Sequence, residues 1–359
     1  LLSISMITAN ILKIFFPAIA SFLLGLVLTR ILVPVMMKFC MWKRKARTDN
    51  TVAMSSEFIT MHQSQITTEL GTPRVGGVII WGSTILVILT MFVLSKTIGG
   101  SVFEKLDFLS RGQTLLPLGA LVFGGLFGLF EDLLEIYTDT FKLFAQGLSA
   151  RYLVSFVAII GFSASLWFFY KLGMHAVYVP FVGYWDIGYL FIPFFILVVL
   201  GTFSSRVIDG IDGLAAGVMA ISFGTFGIIG LIQNQIDIAT LCLVITGAIL
   251  SFLWFNVPPA KYYMGETGML GLTLCLSFIA FLTDSVFILP IVGMMLMLTS
   301  LSSFIQITSK RYWGKKIFRI APLHHHLEVI GWQRSSITMR YWIITLMLAV
   351  VSIIIVLLG

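Results

Sequence analysis

Residues 239–283 read ATLCLVITGAILSFLWFN (239–256), VPPAKYYMGETG (257–268) and MLGLTLCLSFIAFLT (269–283). Two uncharged apolar stretches flank a polar turn rich in Gly, Pro and Tyr. About 20 apolar residues cross about 30 Å of hydrocarbon, and in lipid such a stretch must satisfy its own backbone, as a helix does. The segment therefore predicts two membrane helices joined by a turn that holds Lys261 and Glu266 at one surface.

The pattern repeats in both directions. Ten spans are predicted, at 11–37, 75–95, 114–130, 148–170, 188–204, 214–233, 239–256, 269–283, 286–308 and 337–358. The fold class is an all-α polytopic membrane protein, read as a single membrane domain over residues 1–359. Composition excludes the soluble classes: of 359 residues, 58% are hydrophobic and 11% charged, and mean hydropathy is +1.01. Soluble domains carry about 25% charged residues. The apolar residues run unbroken rather than alternating, which excludes an outer-membrane barrel. Cys40, Cys242 and Cys275 are too few and scattered for a disulfide framework or a zinc site. The first ten residues lack a basic region, so no cleavable signal sequence is expected.

The connections alternate in charge. Segments 38–74, 131–147, 205–213, 257–268 and 309–336 carry 15 Lys and Arg, and the intervening ones carry 4. Positive loops stay in the cytoplasm, so the first set is expected to be cytoplasmic and both termini periplasmic. Lys43, Arg44, Lys45 and Arg47 form a topology anchor that also attracts anionic membrane lipid. Nothing aromatic is interleaved with them, so no nucleic acid is expected as a partner. Segment 171–187 holds Gly, Pro and β-branched or aromatic residues and is expected to form a short external hairpin.

Of 16 acidic residues, 11 fall on the basic side, several of them beside span ends. Glu131 and Asp132 directly follow GGLFGLF, Asp209 and Asp212 sit in VIDGIDGLAAG (207–217), and Glu266 sits in GETG. Two carboxylates three residues apart share a helical face, and Gly after each lets a ligand approach the backbone. A second reading stays open for the Asp pair, as caps of the following helix. Together the three clusters suggest a magnesium and phosphate site, since Mg2+ favours a few carboxylates plus substrate phosphate oxygens. In APLHHHLE (321–328), His324, His325 and His326 follow Lys315, Lys316 and Arg319. Three consecutive His cannot converge on one zinc ion without strain, whereas partly charged His suits phosphate or ribose.

These motifs resemble the phospho-N-acetylmuramoyl-pentapeptide transferases, within the polyprenyl-phosphate N-acetylhexosamine-1-phosphate transferases. The likeness also takes in GTPRVGG (71–77), LWFNVPPAKYYMGETG (253–268) and the continuation to APLHHHLEVIGW (321–332). It implies a bacterial inner-membrane enzyme. Such an enzyme moves phospho-N-acetylmuramoyl-pentapeptide from the UDP-linked precursor to undecaprenyl phosphate, with Mg2+ required and UMP released. It implies Glu131, Asp132 and Glu266 as catalytic, with Asp132 the base or nucleophile. Glu266, Asp132 and Asp209 are implied as metal ligands. Asp209, Asp212, Asn256, Tyr263, Lys142, Arg206, His324, His325 and His326 are implied in substrate binding, with Tyr263 stacking on uracil. Read alone, Tyr263 fits an interfacial aromatic anchor better than a stacking residue. A homodimer is carried as an expectation.

The chain departs from the family pattern at several positions. Glu131 and Glu266 stand where the family has Asp, Glu135 where it has Lys, and Phe203 and Arg206 where it has Asn; the Lys expected before GTP falls near Thr68 and Glu69. Three alternatives stay open: a transferase for another UDP-N-acetylhexosamine, a paralogue with reduced or lost catalysis, and an ion-coupled carrier. The carrier reading would place acids in mid-membrane, and no acid falls inside the predicted spans.

Overall fold

The computed structural model describes residues 2–42, 71–97, 107–109, 113–137 and 148–359, with backbone alone for 2–10. The long helices are α1 Leu2–Lys38, α2 Gly77–Thr97, α3 Leu115–Ile136, α4 Ala150–Leu166, α5 Phe191–Ser204, α6 Leu214–Ile232, α7 Ile236–Asn256, α8 Gly265–Leu282 and α9 Met294–Trp313. A short α10, Leu323–Val329, and α11, Arg334–Leu358, complete the chain. Between α4 and α5 stands an antiparallel hairpin, β1 Ala176–Val179 and β2 Gly183–Asp186, with Val177 opposite Trp185.

Among the described residues, nine helices are long and apolar enough to cross a membrane, where the sequence predicts ten. The difference lies at predicted span 286–308. A single turn, Leu289–Val292, ends at Gly293, and α9 starts anew at Met294. α9 is too polar to count as a span by composition. It nonetheless traverses the bundle, because Ile288 before it lines a cavity at one end and His324 after it packs on Gly210 at the other.

The polarity of α9 has a structural use. Thr299, Ser302, Gln306 and Ser309 fall on one helical face and are buried. Gln306 Oε1 accepts the Ile317 and Phe318 N–H groups at 3.1 and 3.0 Å, and its Nε2 donates to Phe318 O at 2.9 Å. Ser309 donates to Lys315 O at 2.8 Å, and Ser302 Oγ accepts the Leu323 N–H at 2.9 Å. This stripe pins the loop that carries the three His.

α8 is almost wholly interior and α6 and α7 are mostly so, while α1 and α11 face mostly outward. Lipid tails are as apolar as side chains, so close packing by small residues must hold such helices together. α3 packs most tightly on α8, at Gly124 against Gly271 and Gly128 against the Glu266 carbonyl. A Cβ at Gly128 would stand 2.1 Å from that oxygen. A second core joins the turn that continues α4 (Trp167–Lys171) to α5 and α8 through Phe168, Phe195 and Phe281, with Phe195 and Phe281 stacked at 4.2 Å.

Candidate active site

One end of the bundle collects the C-terminal end of α3, the 209–213 turn before α6, the turn before α8, and α10. Asp132 on α3 is buried and reaches across to the start of α8. Its Oδ1 accepts the Glu266 N–H at 3.3 Å; its Oδ2 accepts the Thr267 N–H at 2.8 Å and the Thr267 hydroxyl at 2.6 Å. Asp209 Oδ2 accepts the Gly265 N–H at 3.1 Å. Two carboxylates thus take N–H groups that a helix start leaves unpaired, where the helix dipole favours negative charge. Gly265 makes this possible: its φ is +68°, and a Cβ there would lie 2.4 Å from Asp132 Oδ2.

Glu131, Asp132 and Glu135 each bring a carboxylate oxygen within 4.8 Å of the others. Glu131 Oε2 and Glu266 Oε2 are buried and meet no hydrogen-bond donor among the described residues. Arg206 forms an ion pair with Glu266, and Arg74 lies 3.4 Å from Glu135. Buried carboxylates this close repel one another unless a cation lies between them. The cluster with its two unpartnered oxygens therefore fits a metal ion held by carboxylates.

Asp212 Oδ2 accepts the Ala260 N–H at 3.1 Å. Asn256 is buried with both ends of its amide engaged: Oδ1 accepts the Gly213 N–H at 3.0 Å and Nδ2 donates to Tyr262 O at 2.8 Å. Asp212 and Asn256 thus brace the DGIDG turn against 257–264. Half-buried Tyr263 joins that loop to GTPRVGG, its N–H donating to Pro73 O at 2.8 Å and its carbonyl accepting from Gly76 at 2.9 Å. Burial pushes the Asp209 carboxyl up to about 6, with Glu266 and Asp212 adding to the shift and Arg74 and the Gly265 N–H opposing it. Lys142 lies outside the described residues.

The His motif meets the same turn. A Cβ at Gly210 would stand 2.6 Å from His324 Nε2 and 3.1 Å from His325 Nε2. His324 is fully buried, and burial first, then His325 and Arg334, hold it well below its ordinary value. Burial thus favours its neutral form, where the sequence leads one to expect a partly charged side chain. His325 Nδ1 lies 2.6 Å from Glu328 Oε2, and Arg334 holds the other Glu328 oxygen. His325 and His326 remain partly exposed.

Sequence reasoning assigned no role to Arg74, Thr267, Glu135 or Arg334. Glu135 could have been found, since it lies four residues from Glu131 on one helical face. Arg74 and Thr267 carry no local signal of their contacts across the bundle.

The fold and site define a multi-pass α-helical membrane protein with a metal-capable acidic centre at one membrane face. A model described as glycosyl transferase family 4 matches residues 114–284. The phospho-N-acetylmuramoyl-pentapeptide-transferase of Geobacillus thermodenitrificans is 31% identical over 287 residues, 79% of this chain and 83% of its own. That of Thermoanaerobacter sp. is 33% identical over 278 residues, covering 77% and 81%. That of Caldanaerobacter subterraneus is 30% identical over 344 residues, covering 95% and 98%. The chain belongs to the phospho-N-acetylmuramoyl-pentapeptide transferase family.

Proposed function

We propose that the chain transfers phospho-N-acetylmuramoyl-pentapeptide from its UDP-linked precursor to undecaprenyl phosphate in the bacterial inner membrane, in peptidoglycan synthesis. A lipid phosphate oxygen forms a bond to the sugar-linked phosphorus, the pyrophosphate bridge breaks, and UMP leaves. The observation that carries this reading is the acidic centre itself, set at a membrane face beside the DGIDG turn and the three His. A soluble nucleotide and a membrane-bound phosphate can meet only at such a surface.

Glu131, Asp132 and Glu266 would hold Mg2+, with Asp209 at its edge; bound there, the ion would neutralise phosphoryl charge. Phosphoryl transfer depends on alignment and charge more than on covalent work. Asp132 is assigned removal of the remaining proton from the attacking phosphate. His325 and His326 are assigned to the UDP-substrate, and Tyr263 to its uracil. Asp212 and Asn256 hold the pocket wall that receives it. His325→Ala should then raise the apparent KM for the nucleotide more than for undecaprenyl phosphate.

Arg206 gives one specific reason to expect a re-tuned site. Its guanidinium already neutralises Glu266, at a position where the family resemblance leads one to expect Asn. The test is Mg2+-dependent UMP release by purified protein given both substrates, repeated with UDP-N-acetylglucosamine. Release only with the latter would move the assignment to another sugar, and release with neither would leave a paralogue without catalysis. The acidic face is assigned to the cytoplasm with both termini outside. A reporter fused after Gly359 that reads as cytoplasmic would reverse that orientation.

A further inference from the structure

α11 leads away from the acidic centre. Arg334 in its first turn holds Glu328 beside His325, and its last residues lie at the opposite face. Arg340 stacks on the Trp332 ring, its guanidinium carbon 4.0 Å from the ring centre, as a charged side chain folds back to stay out of hydrocarbon. Beyond it, residues 341–358 carry no charge and rise about 27 Å at about 1.5 Å per residue. The hydrocarbon is about 30 Å thick, so nearly all of this stretch is needed to cross it. Leu357 and Leu358, both exposed, therefore lie at the far hydrocarbon boundary.

The β-hairpin is fastened to that helix end. The Tyr178 hydroxyl donates to the Gly359 carbonyl, and a Cβ at Gly359 would lie 3.2 Å from the Phe181 nitrogen and 3.4 Å from the Pro180 Cβ. On the other strand, the Tyr184 hydroxyl donates to Asp284 Oδ2 at 3.1 Å. The tip, residues 180–182, is thus held beside Leu357 and Leu358, with Phe181 67% and Val182 78% exposed. Residues 172–185 include no Lys, Arg, Asp or Glu. The turn chemistry is not that of a tip in water. Phe181 has φ 66°, in the left-handed region where Gly, Asn or Asp is favoured. A large apolar side chain stands there against the preference of the backbone.

We propose that Phe181 and Val182 insert into the boundary between headgroups and acyl chains of the leaflet opposite the acidic centre, so that the hairpin tip is a membrane anchor beside α11. Contiguous exposed apolar surface marks a contact site, and here it continues the outward side of a membrane-spanning helix. Exposed Tyr184 and Trp185 follow the tip, and exposed Tyr170 and Tyr189 flank the hairpin in sequence. Amphipathic rings of this kind gather at headgroup level. The occupant is lipid because the end of α11 sets the height of the tip, and that end lies where hydrocarbon gives way to headgroups.

The test uses the full chain in liposomes of phosphatidylethanolamine and phosphatidylglycerol, with Cys40→Ser so that the native thiols left, Cys242 and Cys275, are buried. A nitroxide is attached at Val182→Cys. Its collisions with O2, which concentrates in hydrocarbon, are compared with its collisions with a water-soluble nickel chelate. Labels at Met347→Cys, on the outward side of α11, and at Lys316→Cys, exposed in the loop before the three His, give the lipid and water references. The Val182 label should show an O2-to-nickel ratio several-fold above that of the Lys316 label. Phe181→Asn suits the left-handed backbone but removes the apolar ring, and it should shift the Val182 ratio towards the water reference. Circular dichroism confirms that each variant is folded, and a label at Phe181→Cys replaces Val182→Cys if the latter is not. A ratio equal to the water reference would overturn the proposal, as would shielding from both reagents by another segment or a second copy of the chain. An unchanged ratio in folded Phe181→Asn would also overturn it, leaving α11 alone to set the depth.

Discussion

The two ends of α8 solve the same problem with different chemistry. At the start, Asp132 and Asp209 accept the N–H groups of Gly265, Glu266 and Thr267. At the finish, Gln235 and Gln233 donate to the carbonyls of Leu282 and Thr283. Acceptors at a helix start and donors at its end are what unpaired backbone groups and the helix dipole demand. Neutral amides suffice at the far end, so capping needs no charge. Capping therefore accounts for the contacts of Asp132 and Asp209. It does not account for Glu131 and Glu266, whose free oxygens touch no backbone donor. The surplus of carboxylates at one end separates a site from a cap.

The largest test of that contrast is Asp132→Asn, which keeps shape and removes charge. UMP release should fall by about 100-fold or more, with UDP-substrate binding largely retained. Near-normal turnover would leave Asp132 as a cap alone. Next is Gly128→Ala, which forces α3 off the first turn of α8. Overpacking of this kind destabilises by about 1–3 kcal/mol, and a lower Tm should accompany lost activity. An unchanged Tm would show that the charged end does not depend on this contact.

Glu266→Gln removes a charge that capping does not use. The Mg2+ concentration for half-maximal activity should rise roughly tenfold, equivalent to about 1.4 kcal/mol, with partial rescue by added metal. Glu131→Gln should do less. An unchanged Mg2+ requirement in both would remove the surplus acids from the metal site.

The smallest effect concerns His324. Its value in the folded chain lies well below the ordinary 6.5, so below pH 6.5 the unfolded chain binds more protons. Stability from this group is therefore present above pH 6.5 and is lost as pH drops below it. His324→Leu should flatten that loss in Tm between pH 6.5 and 5.5. An identical pH profile would mean that His324 opens to solvent, making it a binding residue like its neighbours.

The apolar runs made the helices legible, because each crossing must be long and uncharged whatever its neighbours. The acids were legible as a group for the same reason: a charge beside a span end marks a surface. α9 was placed as a tenth span, but its polar stripe could not be given a partner, since Gln306 serves a loop that only the folded chain brings to it. Asn256 was visible as a polar residue closing a span. That its amide braces Gly213 and Tyr262 depends on positions 43 and 6 residues away. His324 had nothing to distinguish it from His325 and His326 until Gly210 was seen to cover it.

The grip of Asp132 on Thr267 has a consequence for biosynthesis. The two residues are 135 positions apart. A chain elongating at about 5–20 residues per second leaves α3 without its partner for roughly ten seconds. Throughout that interval Glu131, Asp132 and Glu135 must reside in a half-built bundle with no helix start to receive them. The centre is thus assembled late, only once α8 has been inserted. Chains truncated before Gly265 should therefore lack the metal-capable centre, even though most of their spans are present.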